Sequence, residues 1–188
     1  SLAIKAGFPG IYLVAGISAS DLYWNPKTHG FDAVVGSEFS ALRYWKSRLV
    51  RPKSNLISHF WNRFKLKLFP EETNFERRKK PVIIDYKKAI EHLVTKEKFE
   101  YPYFPVCIHD WDNSPRATSK SLVFHDSHPE VFRIHLKEGI SKINHLPEHE
   151  QFLFLKSWNE WGEGNALEPD KKWGHKYLTV ISEVLNGF

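Results

Sequence analysis

Glu160 and Glu163 stand three residues apart in the stretch Phe152 to Pro169, FLFLKSWNEWGEGNALEP, where an apolar run gives way abruptly to Trp158, Asn159, Trp161 and two glycines. Two carboxyl groups beside one glycosidic bond can divide its cleavage, one protonating the leaving oxygen while the other assists at the opposite face of the sugar. In an extended strand, residues three apart are separated by ~10 Å. A turn or bulge at Trp161 and Gly162 is therefore needed to bring both carboxyls to one side, and the glycines permit it. Indoles at 158 and 161 would stack on sugar faces and lower the local dielectric. The plainer alternative is that both glutamates cap or solvate a loop.

A second cluster, DWDNSPR from Asp110 to Arg116, also follows an apolar run. Asp110, Asp112 and Asn113 suit sugar hydroxyls, Trp111 suits a sugar face, and Arg116 could fix a carboxylate or phosphate. The same residues also read as a plain Asx-type turn with Arg116 paired structurally to Asp110. Glu38, in GSEF, is a third candidate. The ten histidines include no HExxH or comparable ligand spacing, so neither a metal nor another cofactor is expected. GxxxxGK[ST], GxGxxG and GxSxG are all absent, which leaves nucleotide binding and a serine-hydrolase elbow without a motif.

These groups can share one rim only if strands deliver them to it. Phe152 to Ser157 is short and continuously apolar at its start, the pattern of a strand covered on both faces. Gly10 to Ile17, Asp32 to Val35 and Tyr103 to His109 read as further strands, and Pro81 to Tyr86 as a brief extended segment. Helical spacing marks 86–98; Pro129 opens a second helix with His128 or Ser127 as N-cap; a last helix spans roughly 173–185. Residues 40–80 alternate aromatic and basic side chains without steady periodicity and read as an irregular insertion. Strand, loop, helix, strand in repeating order predicts an α/β fold with a parallel sheet, its ligand site at the carboxyl ends of the strands. About four such strands make the C-terminal half of a (β/α)8 TIM-like barrel, since a whole barrel takes about 250 residues.

The 188 residues, 41% hydrophobic and 26% charged, suit a single soluble domain or fragment rather than disorder. No apolar run reaches the ~18 residues of a membrane span. The absent initiator Met and the early first strand suggest a cut end. Cys107, the single cysteine, excludes an internal disulfide and fits a reducing, cytoplasmic setting. The net charge of +5 is concentrated between Lys46 and Lys88, a local basic stretch that reads as a solvated loop; no nucleic-acid partner is expected.

Four segments resemble one family in order. SWNEWGEGNALEPDKKWGHKYL is similar to the C-terminal signature of the WbsX-type proteins of bacterial surface-polysaccharide clusters, close to NAWNEWAEGxxLEPDxxxGxxYL. FPVCIHDWDNSPR resembles their FPGVMPGWDNTxRR, HDSHPEVFRIHL their xxSTPExFxxWL, and GFDAVVGSEF their GFDAxVEFPP. Those proteins are named as glycosyltransferases yet are similar to the endo-α-mannosidase type of glycoside hydrolase, a (β/α)8 barrel. The resemblance implies that Glu160 and Glu163 match that type's catalytic carboxylates. The first would assist the sugar's own 2-hydroxyl as internal nucleophile through an epoxide-like intermediate; the second would serve as general acid and then base, without a metal. Here the VEFPPH-like strand end keeps Glu38 but loses the prolines and His, and Asn165 and Ala166 stand where the family has aromatic-type residues.

The expectation is thus a carbohydrate-active half-barrel acting on glycosidic bonds in lipopolysaccharide, O-antigen or capsule synthesis or processing, with a glycan or sugar donor as substrate. A glycosyltransferase using an activated donor, with Arg116 or the basic insertion holding phosphate, and a non-catalytic glycan-binding half-barrel are the alternatives. A four-stranded half-barrel leaves strand edges and one sheet face uncovered, which predicts self-association or pairing with an N-terminal half.

Overall fold

A computed structural model of the chain describes residues 2–17, 24–36 and 80–187. A short helix α1 (Leu2–Lys5) precedes strands β1 (Val14–Gly16) and β2 (Ala33–Val35). Then come β3 (Val82–Asp85), α2 (Tyr86–Leu93), β4 (Tyr103–Phe104) and β5 (Val106–Ile108). Helix α3 (Ser114–Ala117), β6 (Leu122–His125) and α4 (Pro129–Ser141) lead to β7 (Phe154–Lys156). The two-residue strands β8 (Asn159–Glu160) and β9 (Asn165–Ala166) and helix α5 (Lys176–Asn186) complete the order.

Strands β1, β2 and β4 form a parallel sheet in that order, and β5 pairs in parallel with β7. Between β4 and β5 lies only Pro105, which has no N–H to donate but whose carbonyl accepts from the Phe154 N–H at 3.0 Å. One extended segment, 103–108, therefore serves β2 with its first half and β7 with its second. The predicted mixed α/β fold with four parallel segments is present on this evidence of pairing. The insertion expected at 40–80 and the candidate Glu38 lie outside the described residues.

Strand β3 pairs in parallel with β6, from Val82↔Leu122 to Asp85↔His125. The extended reading of 81–86 holds, but β6 carries no alternating pattern and is recognisable only through this partner. Helix α2 stops at Leu93, short of 98, because Val94 takes an extended conformation and is buried. Helix α4 opens at Pro129, and the His128 ring Nδ1 accepts from the Glu130 N–H at 3.2 Å. Helix α5 begins three residues later than expected, since the Asp170 carboxylate accepts from the Trp173 N–H and holds a turn there.

Ile84, Tyr86, Ile108, Phe124, Phe132, Leu136 and Tyr177 form the main core between these helices and strands. Tyr86 donates its hydroxyl to the Ile108 carbonyl at 2.6 Å, and His135 Nδ1 lies 3.2 Å from the same oxygen. That carbonyl ends β5, so two buried side chains fix the point from which the next loop departs. Leu153 and Leu155 pack on this core from β7. Phe152 and Phe154 point the other way and are 49% and 44% exposed. Among the described residues the strand expected to be covered on both faces is covered on one, the side of the main core.

Candidate active site

The parallel register places Ile108 opposite Lys156, so the chain leaves two adjacent strands at the same end. From β5 it enters 109–117, the DWDNSPR cluster; from β7 it enters 157–166, the glutamate segment. Backbone contacts join these loops. The Asp112 N–H donates to the Glu163 carbonyl at 2.7 Å, and Asn165 Nδ2 donates to the Asp110 carbonyl at 2.5 Å. Asn165 is fully buried, which gives a structural reason for a polar residue at that position.

The glutamates sit on a tight hairpin. Strands β8 and β9 pair antiparallel, with Glu160 opposite Asn165, and residues 161–163 form a 3-10 turn. Gly164 closes the turn at φ 60°, and a Cβ there would lie 3.2 Å from the Asp112 backbone N. Glycine is required on both counts. The Ser157 hydroxyl donates to the Asn165 carbonyl at 2.8 Å and accepts from the Glu160 N–H at 3.2 Å, tying the hairpin to the end of β7. The turn predicted at Trp161 and Gly162 is thus the device that gathers both carboxyl groups.

They are gathered around one side chain. Arg116 Nη2 donates to Glu160 Oε1 at 3.0 Å, and Arg116 Nη1 to Glu163 Oε1 at 3.4 Å. Side-chain exposure is 59% for Arg116, 39% for Glu160 and 21% for Glu163. The three groups face solvent together, with one positive charge against two negative. Trp158 and Trp161 are each 55% exposed; Trp161 Nε1 donates to Glu168 Oε2 at 2.7 Å, which orients its ring. Asn159 is exposed beside them.

The other candidates of the DWDNSPR loop divide differently. Trp111 belongs to the core, 6% exposed, with Lys156 Nζ 5.1 Å from its ring centroid. Asp112 Oδ1 accepts from the Ser114 N–H at 2.8 Å, an Asx turn, and Asn113 Oδ1 accepts from the Leu122 N–H at 2.8 Å. These two side chains shape the loop that carries Arg116. Asp110 Oδ1 accepts from the Trp111 N–H at 2.7 Å, and burial pushes its carboxyl above the usual range while the nearby Ser127 side chain and the Trp111 N–H oppose the rise. The alternative pairing of Arg116 with Asp110 is replaced by the glutamate bridge. Beneath the loop, burial pushes His109 down to about 4, so its ring is neutral near pH 7.

Among the described residues no group of three His, Cys, Asp or Glu side chains is placed to hold a metal ion. None of their helices is long and apolar enough to cross a membrane. A cavity of about 640 Å³ opens between Tyr12, Phe31, Asp32, Tyr101 and Glu150. It lies at the amino ends of β2 and β4, away from the glutamates. Parallel strands present reacting ligands at their carboxyl ends, so the glutamate hairpin remains the better candidate.

Comparison with known proteins agrees with the sequence motifs. Two curated relatives, each named "Uncharacterized protein WxcX" and from two strains of Xanthomonas campestris pv. campestris, are 26% identical over 104 residues, 55% of this chain and 15% of their own length. The matched stretch is thus a small part of those relatives. A solved structure titled "Glycoside hydrolase-like protein" superposes with a TM-score of 0.52 at 14% identity, covering 97% of this chain and 46% of that one, a likeness of fold. Residues 1–181 match the family model described as Glycosyltransferase WbsX, and the chain belongs to that family.

Proposed function

We propose that this member of the WbsX glycosyltransferase family carries the glutamate pair of an enzyme acting on glycosidic bonds in bacterial surface-polysaccharide synthesis or processing. The supporting observation is the meeting of Glu160 and Glu163 around one guanidinium at the carboxyl ends of two adjacent parallel strands. A single fork reaching both carboxylates keeps them close enough to act on one bond. Glu163 is the proton donor to the leaving oxygen and then the base. Glu160 accepts the proton of the sugar 2-hydroxyl as that oxygen attacks the anomeric carbon. The half-exposed rings of Trp158 and Trp161 form the platform on which the sugar rests, with Asn159 beside them to meet its hydroxyls.

The scaffold on this reading is the C-terminal half of a (β/α)8 barrel. Four parallel segments in sequence order and a superposition over 46% of a hydrolase-like structure support it. Transfer from an activated sugar donor is the second reading, favoured by the family's own description.

The deciding experiment incubates the full-length protein with a panel of α-mannosides and, separately, with sugar nucleotides. Hydrolysis or transfer from the mannosides supports the first reading, consumption of a sugar nucleotide the second, and glycan binding without turnover a binding module. In the first case Glu163→Gln is expected to lower turnover by roughly 10² to 10⁴ while glycan binding persists. Unchanged kinetics in that variant would remove Glu163 from the reaction.

A further inference from the structure

Arg116 is built into the glutamate hairpin from both sides. Its own loop is tied by hydrogen bonds: the Asp112 and Asn113 side chains accept from the Ser114 and Leu122 N–H groups, and the Arg116 N–H donates to the Asn113 carbonyl at 3.1 Å. From that base the side chain crosses to the neighbouring loop and ends between residues 160 and 163. It crosses over Gly162. A Cβ at that position would lie 3.0 Å from Nη2, 3.2 Å from Nε and 3.3 Å from Cζ of Arg116. Of the two residues between the carboxylates, Gly162 thus lacks a side chain at the spot where the guanidinium lies.

We propose that Arg116 is a positioning residue, which holds Glu160 and Glu163 at a fixed separation and orientation, and that Gly162 is the notch that admits it. The inference rests on the glutamate pair being the reacting pair. A guanidinium is planar and presents its N–H groups in a fixed fork, so it can hold two carboxylates at once and set the angle between them; an ammonium can contact both but, with rotatable donors on a flexible stem, does not set that angle. Its two terminal nitrogens are already engaged. An anionic substrate group approaching Arg116 would meet both carboxylates first, which argues against an anchoring role. Orientation is also where a small displacement costs most, since a misplacement of about 1 Å can cost about 10²-fold in rate.

The test compares Arg116→Gln, Arg116→Lys and Gly162→Ala in the full-length protein, on whichever glycoside the unmodified enzyme turns over. Each variant is expected to lower kcat by about 10 to 10²-fold with KM changed by less than about threefold, and the double variant Arg116→Gln/Gly162→Ala to be no worse than the poorer single, because both remove one arrangement. Added guanidinium is expected to restore part of the kcat of Arg116→Ala. A raised KM with kcat intact would make Arg116 a substrate anchor and overturn the proposal. A second arm needs no turnover. Nitrogen-detected NMR of the unmodified protein should show separate Arg116 Nη signals from hindered rotation, merging in Glu160→Ala/Glu163→Ala. Merged signals in the unmodified protein overturn the positioning role. If the protein cleaves no glycoside yet the signals are separate, the functional reading fails and the clamp stands.

Discussion

Single residues here do two kinds of work, one at the solvent-facing glutamates and one beneath them. His109 and His135 are buried, and burial pushes each ring down to about 4. Both are therefore neutral in the folded chain at pH 7, whereas in the unfolded chain they protonate near 6.5. The folded value is the lower one, so the native state binds fewer protons as pH falls. Their stabilising contribution is present above about pH 6.5 and is lost as pH falls towards 4. Each ring accounts for roughly 2 to 3 kcal/mol by pH 4.5. Asp110 acts in the opposite sense, because its carboxyl is raised by burial and acid favours its folded form. The contribution of one ring is isolated by replacement: His135→Gln keeps an N–H for the Ile108 carbonyl but cannot titrate. Urea denaturation at pH 7 and 4.5 should show a smaller difference in stability for this variant than for the unmodified chain. An unchanged difference would mean that His135 is already charged, or solvated, in the fold.

At the scale of elements, helix α4 makes its tightest approach to the strand pair that carries the two site loops at a glycine. Helix α4 crosses the β5–β7 pair at Gly139, where a Cβ would come 2.5 Å from Cys107 Sγ and 2.7 Å from Leu153 Cδ1. Helix propensity alone favours Ala over Gly by about 1 kcal/mol. The collision opposes it, and overpacking of a close contact costs about 1 to 3 kcal/mol. Gly139→Ala is therefore expected to destabilise the chain, read as a lower denaturation midpoint; a raised midpoint would show that α4 has room to move. The four principal strands were legible in the sequence as short apolar runs, and α4 from Pro129. Less legible were β6, whose strand character comes from pairing with β3, and the change of partner at Pro105. The glutamate pair and its turn could be read from local spacing. Its clamp could not, because Arg116 is 44 and 47 residues away from its two partners and their contact leaves no local pattern.

For the whole molecule the exposed apolar surface is the feature without a use in the described structure. Tyr12 stands 6.5 Å from Phe104, centroid to centroid, and Phe104 lies 5.4 Å from Phe152 and 6.4 Å from Phe154. Phe104 is buried beneath this group, while Tyr12, Phe152 and Phe154 are 45%, 49% and 44% exposed. The aromatic layer lies on the face of β4 and β7 opposite the core of α4 and α5. In the proposed half-barrel that face is the inner one, which a closed barrel fills with side chains from its other strands. Contiguous exposed aromatic surface of this kind drives association. The 188-residue chain on its own is accordingly expected to self-associate, or to form a stable complex with the preceding part of a longer polypeptide when the two are expressed together. Phe152→Ser/Phe154→Ser should weaken either association and leave the helix content measured by circular dichroism unchanged, because α4 and α5 pack on the other face. Light scattering separates the outcomes: a monodisperse, stable monomer of the unmodified chain would remove the half-barrel argument. Association that persists undiminished in the double variant would place the contact at a strand edge instead. On the proposed half-barrel reading the chemistry is tied to the same result, since the glutamate hairpin would supply one wall of a cleft and a closed barrel the wall facing it.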